Sequence, residues 1–261
     1  MPLHVEVRGS GPPLTLLHGF TQTGRLWGAF GDHLAEHFTL IAIDLPGHGG
    51  SSDERADLPT TADLVARAIT ETVGAEPTSL LGYSLGARVA LHVALGTDLR
   101  LRRAVLIGAT GGIDDPEARA TRRATDEATA AALEDSGDVD AFIARWVSSP
   151  MFSRLGPAAD LTERRRNTAR GLASSLRLTG TGTQEPLWDR LASLDLPVLA
   201  LAGADDTRFA GHAQRMAGLL PSGLVTLVPG GGHAVHLAQP EISWRVVHHW
   251  LSAVLTEGSR P

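Results

Sequence analysis

The sequence predicts a doubly wound α/β fold with a mostly parallel sheet and an inserted helical cap. Three observations predict it: short apolar runs recur along the chain, helical spacing fills most of the gaps between them, and over one long interval the alternation stops. The first segment, Met1-Pro-Leu-His-Val-Glu-Val-Arg8, alternates apolar and polar residues as an edge strand does. It has neither the basic start nor the long apolar centre of a secretion signal. Runs follow at Leu14 to Leu17, Thr39 to Ile43, Ser79 to Leu81, Ala104 to Ile107, Val198 to Ala202 and Leu224 to Val228. Most are continuously apolar, which suits strands buried on both faces of a parallel sheet. Helical spacing marks Thr61 to Val73, Leu85 to Leu95, Ala210 to Leu220 and Ile242 to Leu255. Between about Gly112 and Gln184 no strand pattern occurs, and Ala, Arg and acidic residues follow helical periods. The predicted organisation is a core of residues 1–111 and 185–261 with a helical cap over 112–184. Thr256 to Pro261 read as a loose tail.

Composition narrows the chemistry. A chain of 261 residues with 43% hydrophobic and 20% charged residues suits one large globular domain. No run reaches the length of a membrane-spanning helix, so a cytoplasmic protein, monomeric or a small homo-oligomer, is expected. The absence of Cys excludes a disulfide framework, a thiolate metal site and a cysteine nucleophile. All 23 basic residues are Arg, which excludes Schiff-base chemistry and a lysine-dependent phosphate loop. A net charge of −6 argues against nucleic acid as a partner. That charge is unevenly spread. Residues 145–177 carry seven arginines against Asp160 and Glu163, a net of +5, which leaves the remainder at −11. A solvated helix face accounts for any one of these arginines; the cluster as a whole points to a small anionic ligand.

The sharpest motif is Gly82-Tyr-Ser84-Leu-Gly86, between a predicted strand and a predicted helix. Two glycines permit a tight strand-to-helix turn that lifts Ser84 above the sheet, and the helix start offers the N–H of Leu85 to a developing negative charge. A serine hydroxyl becomes a nucleophile or base when a His takes its proton and a carboxylate orients that His. Downstream, Gly203-Ala-Asp-Asp206 follows one predicted strand and Gly230-Gly-Gly-His233 the next. Asp205 and Asp206 both stand where the acid is needed, and spacing from Gly203 favours Asp206. His18-Gly19-Phe20 ends the first apolar run, and the N–H of Phe20 is the candidate second oxyanion donor. Asp44-Leu-Pro-Gly-His-Gly-Gly-Ser51 reads as a structural loop beside the site. The pairs His233/His236 and His248/His249 bring no converging third ligand, so no metal site is expected.

These residues resemble the α/β-hydrolase family over essentially the whole chain: the His18-Gly19 loop, the Asp44 to Ser51 loop, the elbow at Ser84, and Asp206 and His233. Within it, Gly82-Tyr-Ser-Leu-Gly-Ala-Arg88 and Trp146-Val-Ser-Ser-Pro-Met-Phe152 are similar to the 2-succinyl-6-hydroxy-2,4-cyclohexadiene-1-carboxylate synthases (MenH) of menaquinone biosynthesis. Those enzymes are lyases that remove pyruvate from an enolpyruvyl cyclohexene carboxylate, with the triad serine as base and no metal or organic cofactor. The resemblance implies the α/β-hydrolase fold, a Ser84, Asp206, His233 triad, and an oxyanion hole from the N–H groups of Phe20 and Leu85. It further implies Tyr83 lining the pocket, Arg88, Arg122 and Arg166 binding a polycarboxylate substrate, and Trp146 and Phe152 as aromatic cap residues. Guanidinium forks suit that substrate because they bind carboxylates in a bidentate manner. The chain departs from the family where Gly108-Ala-Thr-Gly111-Gly112 replaces a usual Glu and Pro-Gly pair, and where Ala87 replaces a common Gly. A serine hydrolase acting on an ester, thioester or carbon–carbon bond of a small anionic substrate is the alternative, because the same triad serves both chemistries.

Overall fold

The computed structural model describes residues 2–253. The predicted tail from Thr256 and the end of the last predicted helix at Leu255 lie outside the described residues. Seven strands, β1 (Val5–Arg8), β2 (Pro13–Leu17), β3 (Thr39–Ile43), β4 (Thr78–Tyr83), β5 (Leu101–Ile107), β6 (Val198–Gly203) and β7 (Gly223–Val228), form one sheet in the order β1-β3-β2-β4-β5-β6-β7. Every neighbouring pair is parallel except β1 with β3. The alternating N-terminal segment is thus the antiparallel edge strand, with Val7 53% exposed.

Successive residues of the central strands feed two separate cores, as the period of two requires. Leu17, Leu80 and Leu106 pack on one face with helices α2 (Leu58–Val73), α3 (Leu85–Gly96) and α8 (Thr207–Leu219). Leu16, Leu81 and Val105 pack on the other with α1 (Gly28–Ala35) and α10 (Pro240–Ser252). Helix α2 begins three residues before its apolar periodicity. The Asp57 carboxylate accepts from the Thr60 N–H at 2.9 Å and Pro59 stands in the first turn, two start signals that precede the apolar stripe.

Four helices lie between β5 and β6: α4 (Pro116–Ser136), α5 (Val139–Val147), α6 (Leu161–Arg164) and α7 (Ala169–Thr179). They have a small core of their own, Ala130, Leu133, Phe142, Ile143, Leu172, Ala173 and Leu176, which Phe20 and Trp146 join at its edge. Helix α9 (Val235–Ala238) completes the chain between β7 and α10. No helix among the described residues is long and apolar enough to cross a membrane. After β3 the chain crosses over β2 to build β4, so the loops after β2 and β4 diverge at a topological switch point, where doubly wound sheets leave a crevice.

Candidate active site

Ser84 sits at that crevice, between the last residue of β4 and the first of α3, with φ 52° and ψ −105°. Its N–H donates to the Ile107 carbonyl at 2.9 Å, and its neighbours explain how the strained turn is held. Gly86 lies against β2 so closely that a Cβ would stand 1.9 Å from the Leu17 oxygen, and one on Gly82 would stand 2.4 Å from the Gly86 oxygen. The Gly86 N–H donates to the His18 carbonyl at 3.0 Å. Both glycines of the motif are therefore required by close backbone approach.

The Ser84 Oγ and His233 Nε2 are 3.0 Å apart, and His233 Nδ1 and Asp206 Oδ2 3.2 Å. A carboxylate only accepts, so Nδ1 carries the proton and Nε2 is free to accept from the serine hydroxyl. Asp206 also caps α8 by accepting from the Phe209 N–H at 3.2 Å. Burial opposes its ionisation, but the hydrogen bonds from His233 and Phe209 and the charges of His233 and Arg208 outweigh burial, and its pKa falls below the ordinary carboxylate value. Asp205 points elsewhere and pairs with Arg154 at 2.8 Å. Gly108, at the family departure, has φ +57°, and a Cβ there would stand 3.0 Å from His233 Cε1. The residue after β5 is thus small because the histidine ring lies over it.

Phe20, Ser84, Leu85, Arg88, Arg122, Trp146 and His233 line one narrow cavity of about 80 Å³. The first N–H groups of a helix lack acceptors within it, so Leu85 presents its N–H beside the serine. Arg88 is buried, and its Nη1 donates to the Thr179 carbonyl at 2.7 Å and to Gln184 Oε1 at 3.2 Å. Burial, helped by the nearby charge of Arg122, lowers its pKa to about 10, which leaves it cationic at neutral pH. Arg122 donates from Nε to Asp126 Oδ1 at 2.8 Å. Trp146 packs edge to face on Phe20 with centroids 4.9 Å apart, and its buried indole N–H has no partner among the described residues.

Three expected pocket residues lie elsewhere. Tyr83 is buried beneath the site, with its ring 5.4 Å from that of His233 and 4.5 Å from that of His236, because the last strand residue points down into the sheet's core while the turn lifts Ser84. Phe152 packs against His233 from outside the cavity at 6.0 Å. Arg166 is half exposed and lies 3.5 Å from Glu163. Its neighbour Arg164, two residues earlier and so on nearly the opposite side of the helical turn, is the one that turns inward; it is 1% exposed and donates to the Ala159 carbonyl and the Thr21 hydroxyl. Asn167 joins the same junction, donating to the Thr21 carbonyl at 2.8 Å and accepting from the Gly49 N–H at 3.0 Å. The residues that periodicity and motif did not single out are Arg164, Asn167, Thr110, Arg208 and Phe209, whose ring lies 4.2 Å from that of His233. Adjacency to Asp206 was the one signal for the last two.

Two loop histidines hold the scaffold. His18 Nε2 accepts from the Leu45 N–H at 3.0 Å while Nδ1 donates to the Gly19 carbonyl at 2.9 Å, and His48 accepts from the Thr21 N–H at 3.3 Å. Asp44 accepts from the N–H groups of Gly24 and Gly50 at 2.6 and 2.7 Å, so the Asp44 to Ser51 loop braces the Phe20 loop. Burial depresses His18 to about 4, His48 to about 3 and His236 to about 3. Unfolded, each titrates near 6.5 and binds a proton that the folded form refuses. Their stabilising contribution is therefore complete above about pH 6.5 and is lost as pH falls toward 4. His236 makes no hydrogen bond among the described residues and packs on Trp27, Phe30 and Tyr83. His236→Phe is expected to change stability little at pH 7 and to cut the loss between pH 7 and pH 5 by about 2 kcal/mol, read by urea unfolding at both values. An unchanged pH dependence would show that His236 is not buried neutral. Among the described residues no cluster of three or more His, Asp or Glu could hold a metal ion.

The alpha/beta hydrolase family model matches residues 16–242. A 2-succinyl-6-hydroxy-2,4-cyclohexadiene-1-carboxylate synthase of Photorhabdus laumondii is 34% identical over 92% of this chain and 86% of its own. A pimeloyl-(acyl-carrier protein) methyl ester esterase of Xanthomonas campestris is 31% identical over 97% of this chain and 100% of its own. In structure, MenH from S. aureus matches with a TM-score of 0.88 at 28% identity, covering 95% of this chain and 97% of that one. With the sheet order, the elbow at Ser84 and a match across 16–242, the chain belongs to the α/β hydrolase family.

Proposed function

We propose that this protein is a carbon–oxygen lyase of menaquinone biosynthesis. It eliminates pyruvate from 2-succinyl-5-enolpyruvyl-6-hydroxy-3-cyclohexene-1-carboxylate to give 2-succinyl-6-hydroxy-2,4-cyclohexadiene-1-carboxylate. The observation that carries this reading is the Ser84–His233–Asp206 hydrogen-bonded chain, whose serine and histidine line one cavity with Arg88 and Arg122, two cations that an uncharged ester would not need. The names of the synthase relatives support it. Helices α4 to α7 form a cap, residues 112–184, over the catalytic core.

In this mechanism His233, oriented by Asp206, accepts the Ser84 proton as Ser84 removes the ring proton. The electron pair moves into the carbonyl-conjugated system, and the N–H groups of Phe20 and Leu85 stabilise the oxyanion that forms. That charge then collapses to expel the enolpyruvyl oxygen; protonated, the leaving group becomes pyruvate. Neither step calls for a metal or an organic cofactor. Arg88 and Arg122 hold carboxylate groups and keep the ring proton at Ser84. Arg88→Ala is expected to raise KM about tenfold to a hundredfold, the range for losing a charge-assisted hydrogen bond, with partial recovery in Arg88→Lys. Pyruvate release coupled to lactate dehydrogenase measures it, and an unchanged KM would remove the arginine from the substrate site.

One observation favours a second reading, a serine esterase. Arg122, Trp146, Met151 and Leu176, which line the cavity, also line a groove of about 700 Å³ whose wall includes Ala128, Ala132 and Phe142, room for an acyl chain, and an esterase is among the relatives. Burst release from a chromogenic ester without pyruvate formation would select that chemistry.

A further inference from the structure

The cations around the cavity fall into two groups with different surroundings. Arg88 and Arg122 belong to the side formed by α3, α4 and α7, and both are already engaged: Arg122 by Asp126, Arg88 by a carbonyl and an amide oxygen. On another side, where α8 begins, Arg208 and Phe209 complete the wall. There the cavity meets a second opening of about 370 Å³, lined by Pro150, Arg154, Asp205 and Gly232, and Arg208 and Met151 border both spaces.

Arg208 is exposed and forms no ion pair among the described residues. The nearest acids are taken, Asp205 by Arg154 and Asp206 by His233. Its guanidinium carbon lies 5.8 Å from the Phe209 ring centroid, and that ring in turn lies 4.2 Å from the ring of His233. An unengaged guanidinium fork resting on an aromatic ring at the edge of the reaction cavity is prepared for a bidentate carboxylate.

We propose that Arg208 is a specificity-determining residue that receives a second carboxylate of a polycarboxylate substrate, another being held at Arg88 and Arg122 with the reacting carbon between them at Ser84. This rests on the proposed reading of the site as one for a polycarboxylate, and extends it: the enzyme distinguishes dianions from monoanions of the same length. Arg208 also helps keep Asp206 ionised, so a residue acting only through Asp206 would alter kcat and its pH profile and leave KM unchanged.

The test measures pyruvate release by wild type, Arg208→Gln and Arg208→Lys, together with calorimetric titration of the dicarboxylates from succinate to pimelate and their monomethyl esters. Arg208→Gln should raise KM about tenfold or more with kcat within about threefold, Arg208→Lys should recover part of it, and the wild-type preference for dianions over half-esters should disappear in Arg208→Gln. Unchanged KM, a change confined to kcat, or a wild type with no preference for dianions overturns the proposal. A wild type that releases no pyruvate defeats the lyase reading alone and leaves the titration to decide Arg208. Pyruvate release together with Arg208-independent binding defeats Arg208 alone.

Discussion

Ser84→Ala is expected to lower kcat for pyruvate release by about a thousandfold or more while the protein melts within a few degrees of wild type. In the proposed mechanism the rate falls because the base itself is removed; positioned proton transfer contributes roughly 10²–10⁴, and the candidate oxyanion donors and arginines that remain would bind substrate without moving its proton. The fold survives because, among the described residues, the serine side chain bonds only to His233, while its backbone, at φ 52°, keeps its hydrogen bond to Ile107. Alanine carries the same Cβ into the same positive φ, so the strain of the turn is not relieved. Substrate affinity should change little, since the carboxylate contacts are assigned to arginines. The measurement is pyruvate formation beside a thermal melt followed by circular dichroism. Near wild-type turnover would exclude Ser84 as the base; lost turnover with a collapsed melt would mean the position is structural.

The parts of this molecule that were legible in the sequence are those fixed by backbone geometry. Strands buried on both faces must be continuously apolar, and so β2 to β6 announce themselves; β7, an edge with Leu224 55% exposed, is marked by its run rather than its burial. The elbow is legible for the same reason, because glycine is the only residue that fits where Gly82 and Gly86 touch backbone. Side-chain direction was harder to read. Arg164 and Arg166 stand in the same basic run, and only the phase of a one-turn helix decides that the first is buried against Thr21 while the second meets solvent. Tyr83 shares a motif with Ser84 yet faces the core, since the turn between them reverses the direction of the chain's side chains. Arg208 left almost no trace, because the role proposed for it depends on its nearest acids being paired with Arg154 and His233, a property of the packed structure rather than of the local sequence.

Gly86→Ala tests whether the elbow and the candidate oxyanion donors form one rigid unit. The added Cβ would lie 1.9 Å from the Leu17 oxygen, 2.3 Å from its carbonyl carbon and 2.7 Å from the His18 oxygen, all backbone atoms at the end of a central strand. No rotamer relieves such a contact, so α3 must lift from β2, breaking the Gly86 N–H to His18 bond and separating Leu85 from Phe20. Overpacking against side chains costs about 1–3 kcal/mol; against backbone in the middle of the sheet the upper part of that range or more is expected, a fall in Tm of roughly 6 °C or greater. Activity should fall further than stability alone explains, because the two N–H groups no longer converge. Gly96→Ala, the same change at the other end of α3, meets nothing within 4 Å and is expected to be neutral or slightly stabilising through helix propensity. The pair separates a general dislike of alanine in α3 from the specific contact with β2. Equal melting temperatures and equal turnover in the two variants would mean that helix and strand can part without cost, and the elbow would then owe its shape to something other than this contact.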